Sequence, residues 1–109
     1  MKMVQAIIRA ERMDNVKKAL EEKDFIAMSI FEITGRGEQK GITLEHRGKK
    51  VEVDTLPKVM IEMVVKDQDV DIIISTIRAA GRTGRVGDGK IFVLPVEMVA
   101  KVRTDEIWK

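Results

Sequence analysis

Lys2–Leu20, KMVQAIIRAERMDNVKKAL, and Val59–Ile77, VMIEMVVKDQDVDIIISTI, decide the fold, because the second stretch repeats the pattern of the first. Sliding the chain against itself by 57 residues pairs Met3 with Met60, Val4 with Ile61, Ile7 with Val64 and Ile8 with Val65. The match continues through Arg9 with Lys66, Met13 with Val70, Asp14 with Asp71, Val16 with Ile73 and Leu20 with Ile77. Two copies of one strand–helix unit account for this register. Identities are few, so a chance likeness between two unrelated strand–helix units accounts for it as well.

Within each copy the period changes in the same way. Residues 2–9 and 58–66 are short apolar runs rich in β-branched side chains, which suit strands. Met13, Val16 and Leu20, then Val70, Ile73, Ile74 and Ile77, recur at helical spacing. Asp67 or Asp69 is placed to cap the second helix, and Gly81 to end it in a left-handed conformation. Phe25–Ile33 and Ile91–Val96 supply a following strand in each half, the last closing at Pro95. The order β-α-β, long loop, β-α, shorter loop, β predicts an α+β, ferredoxin-like fold with both helices on one face of an antiparallel sheet. In Phe25–Ile33 both alternating sets are largely apolar, Phe25, Ala27, Phe31 and Ile33 against Ile26, Met28 and Ile30. A lone two-layer domain leaves one sheet face wet. The bare face is therefore expected to be covered, and a homo-oligomer is the simplest supplier of the cover.

The chain has 109 residues, which fits one domain over 1–109 with a core large enough to need no staple. It contains no cysteine and one histidine, His46. That composition excludes a thiol nucleophile, Cys-ligated metal and a disulfide scaffold, and argues against a His-pair metal site or a Ser/His/Asp triad. His46 reads as a loop surface residue with no evident carboxylate partner. Apolar runs reach only three or four residues, as in Met63–Val65, far short of the ~20 of a membrane span. The N-terminal stretch becomes charged at Arg9, too early for a secretory core, so a cytoplasmic location is expected. With 20 Lys+Arg against 18 Asp+Glu the net charge of +2 is too small to suggest nucleic acid, and the few aromatics (Phe25, Phe31, Phe92, Trp108) give little for bases to stack on.

Two loops carry the unusual chemistry. Residues 35–57 are far longer than a hairpin requires, and loops of that length in compact domains are usually functional or disordered. Residues 81–90, GRTGRVGDGK, hold four glycines in ten positions, a density that lets backbone N–H groups converge on an anion. Gly84 to Lys90 satisfies G-x-x-x-x-G-K, yet Ile91 stands where a P-loop needs Ser or Thr, and a strand follows where it needs a helix. Phosphate contact through glycine amides, with Lys90 and Arg82 or Arg85 nearby, survives that objection; a glycine-rich turn with solvated lysines satisfies the same spacing. Gly35, Gly37 and Gly41 lack the dinucleotide G-x-G-x-x-G spacing, but allow close approach of backbone to a ligand at the end of the second strand, where Gln39 and Lys40 suit a small polar anion. Lys101-Val-Arg103-Thr104, if extended, puts both cations on one side. Trp108 has the body or a neighbouring copy to pack on, and Met60, Met63 and Met98 look like core filler.

GRGEQKG at 35–41, LPK at 56–58, RTGRVGDGKIFV at 82–93 and VRT at 102–104 together resemble the PII nitrogen-regulatory signal transduction family (GlnK-like) over essentially the whole chain. The resemblance implies a homotrimer with three nucleotide sites between subunits, where ATP and ADP compete and 2-oxoglutarate binds beside MgATP. It places the partner loop at 37–55, the nucleotide loop at 82–90 and a C-terminal segment at 97–109. It implies that Gly87, Asp88, Gly89 and Lys90 hold the phosphates, that Lys101 and Arg103 reach in from a neighbour, and that Arg36, Gly37 and Glu38 line the same site. Ile7, Ser29, Gly35 and Val64 would surround adenine and ribose. Gln39, Lys40, Gly41 and Lys58 would bind 2-oxoglutarate, with Gln39 also on magnesium.

The implied activity is non-enzymatic: control of an ammonium transporter through the long loop, so that contact with a membrane is only indirect, or of nitrogenase or another nitrogen-assimilation enzyme. Arg47 matches the loop-tip arginine that enters the transporter pore in related proteins. Val51 and Lys49 stand where other members carry a uridylylated tyrosine and a phosphorylated serine, so neither modification is expected. Glu38 and Lys101 stand where arginine is common, and Lys101 loses the bidentate geometry that guanidinium offers phosphate. Asp105 replaces a glycine after Arg-Thr. Charge agrees with the implied ligands. Residues 35–58 carry six Lys/Arg against four Asp/Glu and residues 82–90 three against one, so the modest +2 is a slightly acidic body bearing two basic, glycine-containing loops.

Overall fold

A computed structural model describes residues 1–36, 42–46, 48–53 and 55–109, with backbone alone for 42–46 and 49–53. Strand β1 (Lys2–Arg9) leads through a single 3-10 turn into helix α1 (Met13–Glu21), and β2 (Ser29–Gly35) follows. Strands β3 (Ile42–His46) and β4 (Lys49–Val53) form a two-stranded antiparallel ladder of their own. The second half repeats the first: β5 (Leu56–Val65), a 3-10 turn, α2 (Val70–Gly81) and β6 (Gly89–Pro95). A last small hairpin pairs β7 (Val99–Ala100) with β8 (Ile107–Trp108).

The main sheet is antiparallel in the order β2-β5-β1-β6, with the two repeated strands side by side at its centre. This is the ferredoxin-like arrangement that the element order predicts. Burial follows the internal repeat position by position: Val4 and Ile61, Ile8 and Val65, Val16 and Ile73, and Leu20 and Ile77 are all buried. With Ala6, Val59 and Met63 these residues form one core between the helices and one sheet face. The 57-residue register is therefore the register of a shared core.

Among the described residues no layer covers the other sheet face. Direct cross-strand pairing puts Leu94, Met3 and Val64 in one row, Phe92, Gln5, Glu62 and Ser29 in the next, and Lys90, Ile7, Met60 and Phe31 in a third. Phe31, Val64, Phe92 and Leu94 are each at least 40% exposed on it. This is the bare apolar face expected from the two-sided pattern of the second strand.

Several local expectations are corrected. The second strand starts at Ser29 because Phe25–Met28 carry the chain away from α1. Phe25 N–H bonds to Leu20 C=O and Asp24 N–H to Glu21 C=O, both at 3.0 Å, and Asp24 has φ +66°, a Schellman end with Phe25 packed on the core. Neither Asp67 nor Asp69 caps α2 through its side chain; Asp67 instead pairs with the Met1 ammonium at 2.9 Å. Gly81 is the last helical residue and has no positive φ. Its missing side chain serves packing, since a Cβ there would meet Val16 Cγ2 at 3.3 Å. Residues 35–57, read as a plain loop, contain the β3–β4 ladder, turned at Gly48 with φ +75°. Residues 102–105 bend instead of extending, and of the three methionines expected as core filler only Met63 is in the core, since Met98 is exposed and Met60 lies on the open sheet face.

Candidate functional site: the glycine-rich loop and its cleft

Loop 82–90 is built around one carboxylate. Asp88 accepts hydrogen bonds from the amides of Thr83 and Gly84, both at 2.9 Å, from the Thr83 hydroxyl, and from Arg9 Nε at 2.9 Å. The Thr83 hydroxyl oxygen in turn accepts the Arg85 amide at 3.2 Å. Arg9 also donates from Nη2 to the Val86 carbonyl at 2.7 Å, and Lys58 Nζ donates to the Gly87 carbonyl. The last residues of β1 and the start of β5 thus clamp the loop from below. The reversal itself needs positive φ at Gly84 (+86°), Gly87 (+99°) and Gly89 (+107°), a backbone only glycine adopts freely.

These contacts set the charges. Thr83's hydroxyl, then the Arg9 guanidinium and the amides of Thr83 and Gly84, hold the Asp88 carboxyl well below the usual carboxylate range. Burial first, and then repulsion from Arg9, pull the Lys58 ammonium below its ordinary value, against the opposing pull of Glu11 and Asp88. The Asp88 carboxylate is turned toward these partners, so what the residue can offer an anion is its amide. The amides of Gly87 and Asp88 meet no acceptor among the described residues. Beside the loop, a cleft of about 460 Å³ opens between α2 and β6, with Ile7, Ile77, Gly89 and Lys90 among its walls. That volume lies within the range of small-ligand sites.

The residues predicted to form one site fall into two groups. Ile7 pairs directly with Lys90 across β1 and β6, Lys58 reaches Gly87, and Gly35 lies against Lys58, where a Cβ would come 3.1 Å from Lys58 Cγ. Arg36 follows at the end of β2 and is exposed. Val64 lies four residues along β5 from Met60, the partner of Ile7, a separation of about 13 Å along the strand. Ser29 sits one row from Val64, opposite Glu62. Lys101 is engaged within its own hairpin, 3.1 Å from Glu106 and 5.0 Å from the centre of the Trp108 ring, while Arg103 is exposed at the bend. Gly37, Glu38, Gln39, Lys40, Gly41 and Arg47 lie outside the described residues, as do the side chains of Lys49 and Val51. Arg9, which holds the loop through Asp88 and Val86, is the residue at this site that sequence reasoning missed. Its signal was its place at the end of β1, where register sets it opposite Lys58.

The structure is thus a ferredoxin-like α+β domain that presents a clamped, glycine-built loop beside a cleft lined by Arg78, Arg82 and Lys90. The comparisons with known proteins narrow this. A family model described as Nitrogen regulatory protein P-II matches residues 1–106. The chain is 47% identical over 109 residues to Nitrogen regulatory protein P-II 2 of Methanothermobacter thermautotrophicus, covering 100% of this chain and 95% of that protein. It is 49% identical over 106 residues to Nitrogen regulatory protein P-II of Rhodobacter capsulatus, covering 97% and 95%, and 47% identical over the same length and shares to that of Microchaete diplosiphon. The chain belongs to the P-II family of nitrogen regulatory proteins.

Proposed function

We propose that this chain is a non-enzymatic, cytoplasmic sensor that binds ATP or ADP and 2-oxoglutarate and controls an ammonium transporter through residues 37–55. The observation that carries the reading is the clamp of Arg9 and Lys58 on loop 82–90, which leaves the Gly87 and Asp88 amides open beside Lys90. Open amides, positive charge and a neighbouring apolar wall at Ile7 are the donor set a polyphosphate with an attached ring system needs. Gln39 and magnesium would join the phosphates from the partner loop.

The two-group layout supports a site completed by another copy. Ser29 and Val64 lie toward the other end of the sheet face from loop 82–90, and a head-to-tail ring brings one end of each sheet against the other end of its neighbour. A homotrimer covering the bare face meets that requirement and lets Lys101 and Arg103 act across the interface. Lys58 couples the two effectors. A carboxylate of 2-oxoglutarate drawn to Lys58, with Lys40 and Gly41, competes with the Gly87 carbonyl for the same ammonium, so occupancy of one ligand changes the loop that holds the other. The transporter reading rests on the match of Arg47 to the loop-tip arginine of related proteins; control of nitrogenase or another nitrogen-assimilation enzyme is the alternative.

Calorimetry with MgATP, ADP and 2-oxoglutarate tests the sensor. Saturable heats for nucleotide, with 2-oxoglutarate binding only when MgATP is present, are expected. No nucleotide binding at millimolar ligand would end this reading. Pull-downs from membrane and soluble extracts in each ligand state separate the transporter from an enzyme target.

A further inference from the structure

The cleft between α2 and β6 contains two cations that take no part in the clamp of Arg9 and Lys58 on the loop. Arg78, in the last turn of α2, and Arg82, the residue that ends it, both line the cleft with Lys90. They are exposed and make no side-chain hydrogen bond or ion pair among the described residues. One carboxylate, Asp88, is among the cleft walls, and its oxygens already take Arg9, Thr83 and Gly84. The lining also includes the apolar side chains of Ile74, Ile77 and Ile91. Arg85, which has the same charge in the same loop, does not line the cleft.

We infer that Arg78 and Arg82 form a second anion-binding wall within each chain, gripping the polyphosphate of a nucleotide whose base rests toward Ile7. This deepens the nucleotide reading and rests on it. The physical argument is one of uncompensated charge. Two guanidinium groups four residues apart at a helix end line the same hollow with no acceptor of their own among the described residues, and planar guanidinium matches phosphate oxygens bidentately. A helix C-terminus also favours cations through its dipole. That role is already met by Arg12, whose Nε and Nη2 donate to the Ala80 carbonyl at 3.0 and 2.6 Å. The wall offsets Lys101, which approaches phosphate as a point charge.

The test titrates sodium tripolyphosphate, MgATP and adenosine into the full chain and into Arg78→Gln, Arg82→Gln, the double variant and Arg85→Gln. Calorimetry is read together with the Nε–H signals of Arg78 and Arg82. Each single substitution is expected to weaken tripolyphosphate and MgATP about tenfold and the double variant about a hundredfold. Arg85→Gln should stay within about twofold, and adenosine should be indifferent to all four. Thermal midpoints taken in parallel identify a merely structural role, which moves the midpoint and not the affinity. MgATP binding that ignores the double variant overturns the inference and leaves the nucleotide reading standing. Tripolyphosphate that shifts both Nε–H signals while the parent chain binds no ATP or ADP removes the nucleotide reading and keeps the anion wall. Tripolyphosphate that leaves those signals unmoved at saturation overturns the wall itself.

Discussion

A Cβ on Gly89 would lie 1.7 Å from the Ile7 carbonyl oxygen, and the residue holds φ +107° where β6 begins its ladder with Ile8. Both the contact and the dihedral forbid a side chain, so Gly89→Ala is expected to cost at least about 2 kcal/mol and to open the start of β6; a denaturant midpoint measures it. Asp24 presents the opposite opportunity. It occupies a left-handed position at φ +66° in a Schellman end that glycine fills without strain, so Asp24→Gly should stabilise the chain by about 0.5–1 kcal/mol in the same assay. Asp88 sets a pH dependence. Its folded pKa lies below the ordinary 3.8, so its contribution is complete above that value and is lost as the pH falls below it. Thermal midpoints measured from about pH 6 down to about pH 2 should fall for the parent chain and fall less steeply for Asp88→Asn, which starts lower at neutral pH.

At the level of elements, the two halves are joined by side chains as well as by the sheet. Arg12, in the turn before α1, places two donors on the Ala80 carbonyl at the end of α2, so one half of the repeat caps the helix of the other. Arg12→Ala is expected to cost about 1–2 kcal/mol, while Arg12→Lys, which keeps one donor, recovers part of it; urea unfolding of the three chains gives the comparison. The elements legible in the sequence were those with a sustained period. Val4, Ile61, Val16 and Ile73 could be assigned to one core from spacing alone because burial enforces the alternation of strand and helix. The β7–β8 hairpin was not legible, because two-residue strands have no period to read; its order comes from Lys101, Glu106 and Trp108 interacting around a bend. The start of β2 was misplaced for a related reason. Phe25 is apolar to close the end of α1, and apolar alternation cannot distinguish that role from pairing in a sheet.

Across the whole molecule, the glycine-rich loop was legible in the sequence but its internal geometry was not. Glycine spacing identified loop 82–90, yet only the folded chain shows that Asp88 organises the loop from inside and that Arg9 and Lys58 hold it. Nor can a linear motif show that Ile7 and Val64 lie at different ends of one sheet face. The proposed trimer would account both for that separation and for the exposed Phe31, Phe92 and Leu94, by covering the face and joining the two groups. Equilibrium sedimentation should accordingly give about three times the 12.3 kDa chain mass. Phe92→Glu and Leu94→Glu put a charge on the outer face of β6 without touching the buried core, so each should shift the population toward a folded 12.3 kDa monomer with unchanged far-ultraviolet circular dichroism. The monomer should also lose MgATP affinity, by about tenfold or more, because loop 82–90 would be intact while the groups around Val64 and Arg103 are no longer supplied by a neighbour. A Phe92→Glu chain that stays trimeric would mean that the apolar face is not what the copies share, and a monomer with full nucleotide affinity would mean that one chain holds the whole site.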